Sequence, residues 1–241
     1  MTDVADTTMV DEKPPAQLGL FARIIGVLVS PKETFAAVAA RPKWIGILAV
    51  TLTVGAACQY IILSSPGMHD AMVDQALRSN PQVTEEQAER IISILPYAIS
   101  GATLLLGAVF TAIFAGILML IFSTLMGGSA TFKQVYSVVA HSGVVSTLQG
   151  IVTAALLLAG AKPAGTSPPG ANLAIFVPML DEMSFVTRFL GTIDLILVWW
   201  LITMSIGLGV LYRRRTGGIA TTLLAIYLVI ALIVGYVRSG S

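Results

Sequence analysis

Charge is what this chain has least of. Only 11% of its 241 residues are Asp, Glu, Lys or Arg, and 56% are hydrophobic; an average soluble protein carries roughly 25% charged residues. A net charge of +1 makes no field for nucleic acid, and no basic patch interleaved with aromatics suggests one, so nucleic acid is not expected as a partner. The single cysteine, Cys58, excludes an internal disulfide and a cysteine metal cage. Its two histidines, His69 and His141, stand 72 positions apart without HExxH spacing, so neither a metal nor a cofactor is expected. No glycine-rich phosphate loop follows a strand, which excludes nucleotide hydrolysis. Ser142-Gly143 and Gly128-Ser129 form no nucleophile turn beside an evident base, so no catalytic residue is expected and the chain is not read as an enzyme.

Long apolar runs take the place of charge. Phe189–Tyr212 holds one charged residue, Asp194, in 24 positions and stops at Arg213, Arg214 and Arg215. As a helix it is roughly 36 Å long at about 1.5 Å per residue, enough to cross a ~30 Å hydrocarbon core with some tilt. Four more apolar runs accompany it. The fold class expected is an all-α membrane protein: a five-span helix bundle with spans at about 44–63, 94–126, 134–161, 189–212 and 218–237. Pro96 is expected to kink the second span near its start, and Gly127-Gly128 to end it. Thr84-Glu85-Glu86-Gln87 resembles a capping box that starts a short helix before that span.

Ahead of the first span, residues 1–15 are polar and without periodicity, and are read as a disordered cytoplasmic tail. Residues 16–43 are read as interfacial amphipathic helices. Within them Ser30-Pro31-Lys32-Glu33 has the pattern of a helix start: Ser30 as cap, Pro31 at the first position and Glu33 reaching back. Phe35, Val38 and Ala39 form an apolar face, and Pro42 ends the helix at Arg41. That face is expected to rest on the inner leaflet.

Lysine and arginine set the orientation. Lys13, Arg23, Lys32, Arg41, Lys43, Lys133 and Arg213–Arg215 fall on one side of five spans; Arg78, Arg90, Lys162, Arg188 and Arg238 fall on the other. Nine against five places the N-terminus in the cytoplasm and the C-terminus outside.

Asp194 and His141 are the ionisable side chains, tyrosines apart, that lie well inside spans. An acid there costs roughly 2.5–3.5 kcal/mol on insertion scales, so it must meet another helix or water. Counted from the span ends, the two residues differ in depth by about 9 Å, too far for a direct hydrogen bond. Two separate polar anchors are expected; a proton or ion relay is the alternative. Glycines inside the spans, Gly107, Gly143 and Gly207 among them, are expected to let helices approach closely. At least one of Trp199 and Trp200 is expected to pack between helices.

Three stretches carry a resemblance. LVSPKETFAAVAARPKW resembles the leading motif of the Ypt-interacting-protein (Yip) domain family, with Pro31, Glu33, Phe35 and Pro42 at its positions. GGSATFKQVYSVVAHS resembles that family's turn between second and third spans, and LGTIDLILVWWLITMSIGLG resembles its fourth span, with Asp194 and Gly207 in place. The resemblance implies a five-span membrane domain and, for eukaryotic members, engagement of Rab-type GTPases in vesicle traffic. This chain is closer to the prokaryotic kind, and its short cytosolic arm argues against a GTPase partner. The expected role is therefore a scaffold or membrane-organising protein of the prokaryotic plasma (inner) membrane. Its partners are the lipid bilayer and other membrane proteins or a second copy. A small transporter or channel using Asp194 and His141 is the alternative.

Overall fold

Two ten-residue helices, α1 (Leu20–Val29) and α2 (Pro31–Ala40), lead into the bundle and meet at one residue, Ser30. The structure is a computed structural model and describes residues 18–164, 167–177, 179 and 184–239; the expected tail at 1–15 lies outside the described residues. The chain then runs through α3 (Ile45–Leu63), α4 (Pro66–Ser79), α5 (Glu85–Met126), α6 (Phe132–Leu158), α7 (Phe185–Thr192), α8 (Leu195–Tyr212) and α9 (Thr216–Ser239). A 3-10 turn lies at Leu173–Phe176 before α7. Five of these helices, α3, α5, α6, α8 and α9, are long and apolar enough to cross a membrane.

The capping box expected at Ser30 does not form. Ser30 makes no side-chain cap; its backbone N–H is already bonded to the Gly26 carbonyl at 2.8 Å, closing α1. Glu33 therefore has no free N–H to reach for. The Ser30 carbonyl takes both the N–H and the hydroxyl of Thr34, at 3.1 and 2.9 Å. Where the preceding chain is not helical, the box does form: Thr84 with Gln87 at the start of α5, and Thr131 with Gln134 at the start of α6. Gln134 also donates to the Ala39 carbonyl at 3.0 Å, tying the end of α2 to α6. Pro42 stops α2 as expected, with Arg41 as its C-cap.

Helix α5 is one element of 42 residues and not the short helix plus span that the sequence suggested; Pro96 sits inside it. At about 1.5 Å per residue it is roughly 63 Å long, so its polar first turns extend beyond a ~30 Å core. Gly127 ends it in the left-handed conformation, φ 64°. The largest change is in the fourth span. Phe189–Tyr212 is not one helix: α7 closes at Thr192, Ile193 is extended, and α8 starts at Leu195.

Helix α6 is the post of the bundle. It touches α1, α2, α3, α5 and α8, and every residue from Val135 to Ser142 is buried. A stretch buried on all faces is a core element, while toward its C-terminal end α6 turns Ile151, Leu156 and Leu158 outward. Helix α5 turns Leu105, Phe110 and Leu120 outward, the surface expected of a lipid-facing helix. The close approach of α2, α6 and α8 needs Gly207, where an added Cβ would lie 2.6 Å from Val138 and 3.0 Å from the Phe35 ring. Gly101 and Gly116, by comparison, meet nothing. Trp200 stacks on Phe114 with centroids 5.7 Å apart, so one of the tryptophan pair does pack between helices.

Candidate functional site

The fold brings the residues singled out from sequence into two polar clusters, one toward each end of α6. At the first, His141 lies fully buried on α6. Its Nδ1 is 2.7 Å from the Ser137 carbonyl and its Nε2 is 3.3 Å from an Arg23 guanidinium nitrogen. A carbonyl only accepts and a guanidinium only donates. The two partners together therefore fix a neutral imidazole, protonated on Nδ1 and accepting on Nε2. The same Arg23 nitrogen donates to the Lys43 carbonyl at 2.6 Å. One arginine thus ties α1 to α6 and to the link between α2 and α3.

Helix α1 is apolar on both sides and turns its one charge, Arg23, inward. Phe21, Ile25 and Val29, spaced by four, are 79%, 59% and 72% exposed, while Val27, one turn beyond Arg23, is fully buried. One apolar stripe faces out, and the lone cation faces in among Val27 and the partly buried Leu20, Ile24 and Leu28. Sequence reasoning counted Arg23 as a topological charge and missed its partner. The signal was there: Arg23 and Val27 share a face that excludes residues 21, 25 and 29.

Helix α2 does the opposite. Phe35 and Val38 are 1% exposed or less on a helix that packs against α6 and α8, and Thr34, 2% exposed, lies against Gly26 of α1. The face expected to rest on the inner leaflet lies inside the protein, so Phe35 is a core residue here. Pro31 starts that helix and Pro42 follows it, holding the Phe35 face at the Gly207 gap.

The second cluster surrounds Asp194, which is the N-cap of α8 and not a mid-helix acid. One carboxylate oxygen accepts the N–H groups of Ile196 and Leu197 at 2.7 and 2.9 Å; the other accepts from the Gln149 amide of α6 at 2.6 Å. A carboxylate at a helix N-terminus also meets the positive end of the helix dipole. The Asp194 N–H donates to the Tyr227 hydroxyl of α9 at 2.9 Å, and that hydroxyl donates to the Thr192 carbonyl at 2.8 Å. Leu195 N–H to the Ala171 carbonyl and Leu173 N–H to the Ile193 carbonyl hold the preceding loop against the break. Asp194 and His141 therefore do not meet, and each is bonded to a different helix. Gln149 and Tyr227 were missed; a half-buried carboxylate asks for such donors, but nothing in spacing says which helix supplies them.

Antiparallel order collects the basic residues at one end. The start of α3, the α5–α6 turn and the α8–α9 turn lie together there, Tyr212 contacting Phe122 and Ser123. Among the described residues that end carries Arg23, Lys32, Arg41, Lys43, Lys133, Arg213, Arg214 and Arg215 with one acid, Glu33. Arg213 caps α8 in the left-handed conformation, and all three arginines of the triplet are exposed. The other end carries Asp70, Asp74, Glu85, Glu86 and Glu89 beside Arg78, Arg90 and Lys162, with His69 3.4 Å from Glu89.

Comparison with known proteins supplies the family. A family model described as the Yip1 domain matches residues 25–238. The chain belongs to the Yip1 domain family. It is an integral, multi-pass membrane protein with an all-helical fold, and the matched region runs from the middle of α1 to the last turn of α9. No curated protein and no solved structure matches it.

Proposed function

We propose that this Yip1-domain protein is a non-enzymatic membrane organiser, a five-span scaffold that holds α1 as a wedge in one leaflet. The observation that carries this is the outer face of α1: an apolar stripe turned outward on a helix anchored through Arg23 to His141 and the Lys43 carbonyl. A helix of this kind buries its apolar side roughly 5–10 Å into the headgroup–acyl boundary. Area is then added to one leaflet and not the other. The bundle supplies what a free amphipathic helix lacks, a fixed position relative to the spans.

The basic end is assigned to the cytoplasm, with the N-terminus inside and the C-terminus outside, in the plasma (inner) membrane of a prokaryote. Second copies or other membrane proteins are the partners expected. A GTPase has little to grasp, because the apolar face of α2 is already covered by α6 and α8. Ion or proton flux through Asp194 has less support. Its oxygens hold two backbone N–H groups and Gln149, and both His141 nitrogens are engaged.

Reconstitution into large liposomes tests the reading. The wild type should convert them into smaller vesicles or tubules seen by electron microscopy. The triple variant Phe21→Ser/Ile25→Ser/Val29→Ser should insert equally and leave them as protein-free liposomes are. Equal remodelling by both proteins, or none by the wild type, rejects the wedge.

A further inference from the structure

At the basic end the start of α3, the middle of α5 and the start of α6 enclose an open cleft of about 460 Å³, lined by Trp44, Ala112, Phe132, Lys133 and Tyr136. Its volume falls within the roughly 300–1,000 Å³ of small-molecule sites. The walls are aromatic and fixed. Trp44 meets Tyr136 edge-on at 4.9 Å, Phe132 lies 5.9 Å from the same ring, and the Tyr136 hydroxyl donates to the Ala108 carbonyl at 3.1 Å. Phe132 is 45% exposed and Lys133 is exposed, so the cleft opens outward with a cation on its wall. Lys43, also exposed, precedes Trp44 in the chain.

We propose that this cleft holds one anionic phospholipid, an acyl chain lying on Trp44, Ala112, Phe132 and Tyr136 and the phosphate meeting Lys133. Charge complementarity selects the occupant. Among the described residues of this end Glu33 is the one acid beside eight lysines and arginines, so an anionic headgroup at Lys133 meets attraction where a neutral peptide or sterol gains nothing from the cations. Aromatic side chains and a lysine beside an apolar cleft are also what the headgroup level of a bilayer favours. A second groove, lined by Thr53, Ala56, Tyr60, Tyr97, Ser100 and neighbours, is about 530 Å³ and has no cation on its wall. It serves as the internal contrast. The lipid site does not depend on the α1 wedge, since no residue of α1 lines it.

Full-length protein, delipidated in detergent and given an equimolar mixture of phosphatidylglycerol and phosphatidylcholine with identical chains, is weighed intact by native mass spectrometry. One phosphatidylglycerol should be retained in preference by about fivefold, the factor expected for a single lysine near the headgroup. Lys133→Gln should bring the two lipids to parity and Lys133→Arg should keep the preference. Ala112→Phe, which fills the cleft, should lose the tightly held lipid of either kind. Folding of each variant is checked by circular dichroism and gel filtration; the exposed Lys133 carries the test should Ala112→Phe not fold. Equal retention of both lipids by the wild type overturns the site, as does an unchanged preference in Lys133→Gln. Many weakly held lipids insensitive to every variant mean ordinary annular lipid, and overturn it too.

Discussion

Helices α1 and α2 are neighbours of equal length that share one joint at Ser30, and they present their faces in opposite ways. In α2 the large apolar side chains point inward, with Phe35 fully buried at the Gly207 gap. In α1 the apolar stripe points outward and the lone arginine points inward. Hydrophobicity alone does not distinguish them. What does is what each face meets: the apolar face of α2 lies against α6 and α8, whereas α1 lies on α6 near the buried acceptor His141 and leaves an apolar stripe uncovered, the one that the proposed wedge gives to lipid. A cation on the protein side is tolerated because a neutral ring nitrogen and a carbonyl accept from it.

The contrast is broken most severely at α2. Phe35→Ala should cost about 3–5 kcal/mol, the usual range for an aromatic deleted from a core, read as a fall in melting temperature in detergent. Phe21→Ala, in the outward stripe of α1, should move stability by less than about 0.5 kcal/mol. A loss at Phe21 as large as that at Phe35 would erase the distinction. At the far end of α6, Asp194→Ala removes a helix cap and strands the Gln149 amide, for about 2–3 kcal/mol. Asp194→Asn keeps a capping oxygen and should cost less than about 1 kcal/mol by the same melt.

Smaller effects sharpen the picture of α1. Arg23→Ala should cost about 1–2 kcal/mol through the lost bonds to Lys43 and His141, and should raise protease cleavage between α1 and α2 while the five spans stay intact. Least of all, Ser30→Ala should change stability by under about 0.3 kcal/mol, because no side-chain cap is made there. A cost near 1 kcal/mol would mean that the Ser30 hydroxyl caps α2 after all.

Much of the scaffold was legible in the residues. Five apolar runs became five span-length helices, Gly127 ended α5, Pro42 ended α2, and Thr84 with Gln87 formed the box its spacing suggested. What failed did so where two elements compete for one group. Ser30 matches a capping box, but its N–H belongs to the end of α1. Asp194 reads as an acid inside a continuous apolar run because Phe189–Tyr212 carries no glycine–proline break; it is the side chain that starts a helix there. An aspartate followed by an unbroken apolar stretch is a cap signal as well as an intramembrane charge. The pairings of Arg23 with His141 and of Gln149 with Asp194 join residues 118 and 45 positions apart. No local pattern specifies such pairs; only the placement of α6 does.

Site-directed spin labelling of α1 in lipid bilayers tests the outward stripe most directly. In a Cys58→Ala background, single cysteines at 21, 25, 27 and 29 are labelled in turn, and collision with oxygen is compared with collision with a water-soluble nickel chelate. Oxygen should dominate at 21, 25 and 29, with neither quencher reaching 27. Nickel dominating at 21, 25 and 29 would put the stripe in water and contradict the account.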